Sequence, residues 1–151
     1  MTWTRRSLGI AVAAALLACA PRQAHFPETI PDYERRDQPV TEEDLRILLR
    51  ADEILADASK WDRQDDRVCH PDDTTWSLFC ALQKASIEVL GEYQHRRVAI
   101  QEVRFVVEEA TQGMELEHRL RDFNNLPSTR FEDVKRVLAE AAARVRKRLD
   151  R

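Results

Sequence analysis

The stretch TTWSLFCALQKASIEVLGE, residues 74–92, decides the fold. Trp76, Leu78, Phe79, Cys80, Leu82, Ile87, Val89 and Leu90 leave no wide polar face on a helix of this length, and a helix apolar nearly all round belongs at the centre of a bundle. Composition agrees. Three glycines in 151 residues and a charged fraction of 34% favour helices over turn-rich strand architectures. The expectation is an all-α domain, a single small helical bundle of about four helices.

Upstream, Thr41 stands as an N-cap with Asp44 three residues on as a capping-box acid, and Val40 is placed to staple against Leu45. Leu45, Leu48, Leu49 and Leu55 repeat at helical spacing, and Ile47, Ala51, Ile54 and Ala58 widen the apolar face. Asp52 falls within that face. A buried carboxylate needs a cation, and an arginine is the expected partner. Downstream, a third helix runs from about Arg96 to Gln112, with Ala99, Val103, Val106 and Ala110 on one stripe. The pattern allows it to continue through Met114 to Leu120, with Gly113 as a natural interruption costing ~1 kcal/mol relative to alanine. The last helix opens with Thr129 and Glu132 as a second capping box and buries Val134, Val137, Leu138, Ala141 and Val145. Arg144, Arg146, Lys147 and Arg148 crowd its final turns, where they suit the negative end of the helix dipole.

Between the first two helices lies a polar loop with one large aromatic, Trp61, expected to plug the core edge. The pentad Cys69-His70-Pro71-Asp72-Asp73 is the most chemically suggestive in the chain. A thiol beside an imidazole and two acids has the groups of a nucleophile or a soft-metal site. Catalytic Cys and His usually meet from distant positions, however, and no C-x-x-C or H-x-x-x-H spacing supplies further ligands. A turn capped by Asp72 or Asp73 is the simpler account. His118 and Asp122 stand at i and i+4, with Glu115 one turn before, a pattern that suits either a metal or acid–base patch or a solvated ion-pair face. Asn124 and Asn125, beside Phe123 and before Leu126-Pro127, have the groups to bind a small polar ligand or to satisfy turn backbone. Trp61, His70, His118, Asp122, Asn124 and Asn125 are thus the residues from which a ligand or partner surface is expected. No cofactor is expected and no catalytic set is assigned.

The N-terminus carries the one sharp signal. Thr4-Arg5-Arg6 supplies a positive segment, Ser7 to Ala18 is an apolar run of 12 residues, and Leu16-Leu17-Ala18-Cys19 closes it. The run is too short for a transmembrane helix, which needs ~20 apolar residues. These residues resemble the leader and processing site of bacterial lipoproteins. The resemblance implies cleavage before Cys19, acylation of that cysteine as a membrane anchor and, because Ala20 rather than Asp follows it, sorting to the periplasmic face of the outer membrane. Two or more acyl chains at ~0.8 kcal/mol per buried methylene would anchor the chain stably. An ordinary secretory leader with Cys19 incidental is the alternative that the same residues allow.

Residues 1–18 are then signal peptide, 19–40 a lipidated cysteine with a tether carrying Pro21, Pro27, Pro31 and Pro39, and 41–151 the helical domain. Such a tether is expected to be solvated and to reach up to ~60 Å at ~3.1 Å per residue, although His25, Phe26, Ile30 and Tyr33 have the side chains to dock. Arg5 and Arg6 are the only charged residues before Cys19, so the chain's 24 basic and 27 acidic side chains become 22 and 27 in the mature protein. That balance argues against nucleic acid as a partner. With Cys19 assigned to lipid, Cys69 and Cys80 remain as one pair in a compartment where disulfides persist.

The order of features from Leu45 to Leu138 also resembles that of an uncharacterised family of small helical bacterial domains. It is carried by Ala51-Asp52 before Ile54, Trp61, Cys80-Ala81-Leu82, Phe123-Asn124-Asn125, and Thr129 before Glu132-Asp133-Val134. That family has no assigned chemistry, so it implies no site residues. The expected role is binding or scaffolding at the envelope, through a helical face or the Trp61–Asp73 loop engaging another envelope protein. The alternatives are a small thiol enzyme using Cys69 with His70 or His118, and a metal or small-ligand carrier using His118, Asp122 and Asn124.

Overall fold

A computed structural model describes residues 31–151; the leader, Cys19, His25, Phe26 and Ile30 lie outside the described residues. The all-α class holds. Five α-helices follow one another: α1 (Glu42–Ile54), α2 (Leu78–Leu90), α3 (Val98–Ala110), α4 (Arg119–Asn125) and α5 (Phe131–Leu149), with 3-10 turns at Asp32–Glu34 and Ala58–Lys60. The start of α1 follows its sequence signal, for the Thr41 N–H donates to Asp44 Oδ2 at 2.9 Å. Asp44 does more than cap its own helix. Its side chain is buried, and Oδ1 accepts from Arg97 Nε at 2.7 Å and from the Ala99 N–H at 3.1 Å. One carboxylate therefore satisfies orphan donors at the start of both α1 and α3 and locks the two together.

The middle of the bundle is α1. It packs against α2, α3 and α5, with Ile47, Leu48, Ala51 and Leu55 fully buried. The expected central helix, α2, lies to one side on α1 and α4, and its Ile87 remains 45% exposed. Its remaining apolar side chains are covered by irregular segments instead of helices. Phe79 meets the edge of Tyr93 with ring centroids 6.0 Å apart, and Cys80 is bonded to Cys69.

Two helix starts differ from expectation, those of α2 and α5, each through a contact with another part of the chain, while the interruption expected at Gly113 is found. Residues 74–76 are not helical, because the Trp76 N–H donates to Lys60 O at 2.8 Å and the Asp62 N–H donates to Trp76 O at 3.0 Å, a bridge between extended segments. Ser77 then caps α2 by accepting the Cys80 N–H at 3.1 Å, and Gly91 at φ 82° ends it. Gly113, at φ 84°, turns the chain out of α3, so residues 114–118 do not prolong that helix and α4 forms separately. At α5 the cap is one-sided, Asp133 Oδ2 accepting the Arg130 N–H at 2.9 Å, in place of a box of Thr129 with Glu132. Thr129 is buried and donates its hydroxyl to Phe123 O at 2.7 Å, which closes the α4–α5 turn.

Ion pairs fasten the outer helices. Asp52 pairs with Lys135, at 2.5 Å, instead of an arginine, and that ammonium also reaches the Asp52 and Leu55 carbonyls at the end of α1. Asp52 sits at the edge of the apolar face, where a flexible lysine stem reaches over α1 from α5. The basic cluster at the end of α5 does more than match a dipole, for Arg144 binds Glu109 at 2.6 Å and Arg148 binds the buried Glu102. Residues 31–38 of the tether stay largely exposed but are tacked to this side at a few points. Arg36 pairs with Glu109 at 2.6 Å and stacks 4.4 Å from the Phe105 ring centre, and Arg148 donates to Gln38 O.

The Cys69–Cys80 disulfide, with Cα atoms 5.4 Å apart, ties the loop after Trp61 to the first turn of α2. Replacing both cysteines with alanine is expected to lower the unfolding free energy by ~2.5 to 3 kcal/mol, the loop-entropy value for a ring of this size. Urea unfolding of the two proteins checks this, and equal midpoints would contradict it.

Candidate functional site

The asparagine pair organises the loop that precedes α2. Asn124 is fully buried, and its Oδ1 accepts Trp61 Nε1–H at 2.8 Å and the Leu78 N–H at 3.0 Å while Nδ2 donates to Asp62 O at 2.9 Å. Asn125 does the same one step along: Oδ1 accepts the Asp65 N–H at 2.8 Å and Nδ2 donates to Asp65 O at 2.9 Å. Both amides satisfy backbone, as their turn reading expected, but the backbone of a distant segment. Leaving such buried donors unpaired would cost ~1 to 3 kcal/mol each.

That clamp has a consequence at Arg67. Asp65 is buried, and its Oδ1 accepts the Arg67 N–H at 2.7 Å. Arg67 adopts φ 65°, the one non-glycine residue at positive φ among those described. A non-glycine residue there costs ~1 to 3 kcal/mol and persists only where its surroundings hold it. Asn125 and Asp65 are those surroundings. Burial pushes the Asp65 carboxyl above its ordinary pKa, partly offset by the Arg67 N–H.

Arg67 is so held at the mouth of a cavity of about 420 Å³. Four parts of the chain line it. Tyr33 and Glu34 come from the tether, Arg67 and Phe79 from the loop and α2, His95, Arg96, Gln101 and Arg104 from the α2–α3 turn and α3, and residues 116–121 from the approach to α4. Five arginines face two glutamates. Arg119 is paired with Glu34 at 3.1 Å and Arg121 with Asp122 at 2.7 Å, whereas Arg67, Arg96 and Arg104 have no carboxylate within 4.0 Å among the described residues. The cavity is therefore positive on a chain whose formal net charge is −3.

These three guanidiniums lean on neutral groups. Arg96 stacks 4.1 Å from the Tyr33 ring centre and Arg67 lies 5.9 Å from that of Phe79. Arg67 Nη1 is 3.2 Å from His118 Nε2, and Arg104 Nη2 is 3.1 Å from His95 Nε2. A guanidinium only donates, so a ring nitrogen that hydrogen-bonds one does so as an acceptor. Burial, and then the charges of Arg104, Arg67 and Arg96, hold His95 below its ordinary 6.5. On the cavity wall Gln101 is 2% exposed, and its Oε1 has no hydrogen-bond partner.

Of the six residues from which a ligand or partner surface was expected, only His118 lines this cavity, together with Tyr33, whose side chain was read as able to dock. Trp61, Asn124 and Asn125 stand behind it and hold its loop. Asp122 is a cap, accepting the His118 N–H at 2.8 Å and pairing with Arg121, so it is not free to join His118 in a metal site. His70 is exposed in the expected turn, where its N–H meets Asp73 Oδ2 at 2.7 Å, and Cys69 is bonded to Cys80 and is no nucleophile. Arg67, Arg96, Gln101 and Arg104 were missed. One signal was present: Gln101 lies between Val98 and Phe105 on the apolar side of α3, where a polar residue calls for an explanation.

A model of a family of unknown function, DUF6197, matches residues 39–144. Neither a curated protein nor a solved structure matches the chain.

The lowered His95 pKa fixes a sign. The folded domain binds fewer protons there than the unfolded chain, so this site's contribution to stability is present above pH ~6.5 and is lost as pH falls from there through the lower pKa of the folded state. An NMR titration of the imidazoles should place the His95 midpoint below 6.5. A midpoint above it would contradict the crowding of His95 by three cations.

Proposed function

We propose that this chain, which belongs to the DUF6197 family of unknown function, is a non-catalytic binding module tethered to the bacterial envelope by lipid on Cys19. The observation that carries the binding half is the arginine-lined cavity. Its walls offer guanidiniums, imidazoles and an amide, groups that hold a ligand, and the one cysteine pair that a thiol mechanism would use is bonded. The Cys69–Cys80 disulfide supports the compartment half, since such bonds persist where exported proteins reside. Residues 1–19 supply the lipoprotein-like leader, and residues 20–30 would give the domain its reach from the outer membrane.

Tethering confines the module near the membrane and raises the effective concentration of whatever it binds there, whether a ligand or a neighbouring envelope protein. Labelling of cells with a palmitate analogue should mark the native chain and leave a Cys19→Ala variant unlabelled; label on the variant would sink the anchor. Crosslinking in intact envelopes, followed by identification of neighbours, should return the same partners repeatedly for the native chain and lose them for Cys19→Ala.

A further inference from the structure

The cavity's ligand can be specified by chemistry. Three guanidiniums without carboxylate partners call for more than one negative charge in one place, and the planar fork of each suits the oxygens of a phosphate. A phosphate monoester carries about −1.5 to −2 at neutral pH and three strong acceptors, whereas one carboxylate supplies a single charge. A volume of about 420 Å³ is far more than a lone oxyanion fills, and lies within the ~300 to 1,000 Å³ of small-molecule sites. The ligand therefore has an organic body. Gln101 narrows that body further. Gln101 lines the cavity wall with its Oε1 buried and unpartnered, and a rotation about its terminal torsion would bring that acceptor to a donor such as a hydroxyl.

We propose that the cavity binds a hydroxyl-bearing phosphate monoester, with Arg67, Arg96 and Arg104 gathered on the phosphate and Gln101 facing a hydroxyl. This rests on the reading of the domain as a binding module, but not on the lipid at Cys19. The construction of the site supports it. Arg67 is fixed in the left-handed region by Asp65, and the imidazoles of His118 and His95 lie beside the guanidiniums of Arg67 and Arg104. An arriving phosphate takes over the arginine donors and meets a preset positive wall.

Calorimetric titration of the full-length protein at low salt, with glycerol 3-phosphate, glycerol and inorganic phosphate as probes, tests this directly. Glycerol 3-phosphate should saturate at one per chain and bind at least tenfold more tightly than inorganic phosphate, and glycerol should give no heat. Arg67→Gln and Arg96→Gln, both at exposed positions outside the core, should each weaken the ester at least tenfold. Gln101→Leu should weaken the ester severalfold while leaving inorganic phosphate unchanged, a difference that simple unfolding would not produce. Equal heats for the ester and glycerol, or arginine variants within twofold of the native affinity, would overturn the assignment. Vesicles of phosphatidylcholine with lysophosphatidic acid, which keeps a free glycerol hydroxyl, that displace the ester assign the phosphate to a lipid headgroup, and failure to displace it assigns a soluble ester. A missing ester signal beside reproducible crosslinked neighbours overturns this ligand alone; absence of both overturns the module reading as well.

Discussion

The side-chain amide of Asn124 is the contact on which the rest of the molecule's irregular half depends. It is fully buried and joins three segments at once: the Trp61–Asp62 extended strip, the first turn of α2 at Leu78, and α4, on which it sits. Few side chains could replace it. The position needs an acceptor for two N–H groups and a donor for one carbonyl in a space without water, and an amide supplies both from one planar group. A carboxylate would lose the donor, and an aliphatic side chain would strand all three partners. From this node the geometry runs outward through Asn125 to Asp65 and then to Arg67.

The helical half is held differently. Asp44 joins the starts of α1 and α3, Lys135 bridges α5 to the end of α1, and Arg144 and Arg148 fasten α5 to α3. Apolar packing of Ile47, Leu48, Ile100, Val103, Val134 and Leu138 supplies the cohesion between these points. The cavity lies where the two halves meet, on the side of α3 that α5 does not cover. There α3 presents Gln101 and Arg104, three residues apart and so on one face, to a loop whose position the asparagines set.

Local signals in the sequence survived where no more distant contact competed for the same side chain. The Thr41–Asp44 box, the break at Gly113 and the helical stripes of α1, α3 and α5 are decided within a turn or two of chain, so spacing alone reveals them. What tertiary contact decides could not be seen. Trp76 lies in an apolar helical pattern yet pairs with Trp61 as extended chain, and Thr129 left its cap to close a turn. Asn124 and Asn125 were visible as a pair suited to backbone, but nothing nearby says that the backbone lies some sixty residues away. The arginines were hidden for a different reason. In a chain with 34% charged residues a lone arginine carries no signal, and Arg67, Arg96 and Arg104 become a site only when three segments converge.

If Asn124 is the node, its loss should loosen one half of the molecule and spare the other. Amide hydrogen exchange of Asn124→Ala against the native protein measures this residue by residue. The account predicts lost protection at Leu78 and across residues 61–68, with α1, α3 and α5 still protected. Unchanged exchange across residues 61–68 would contradict it.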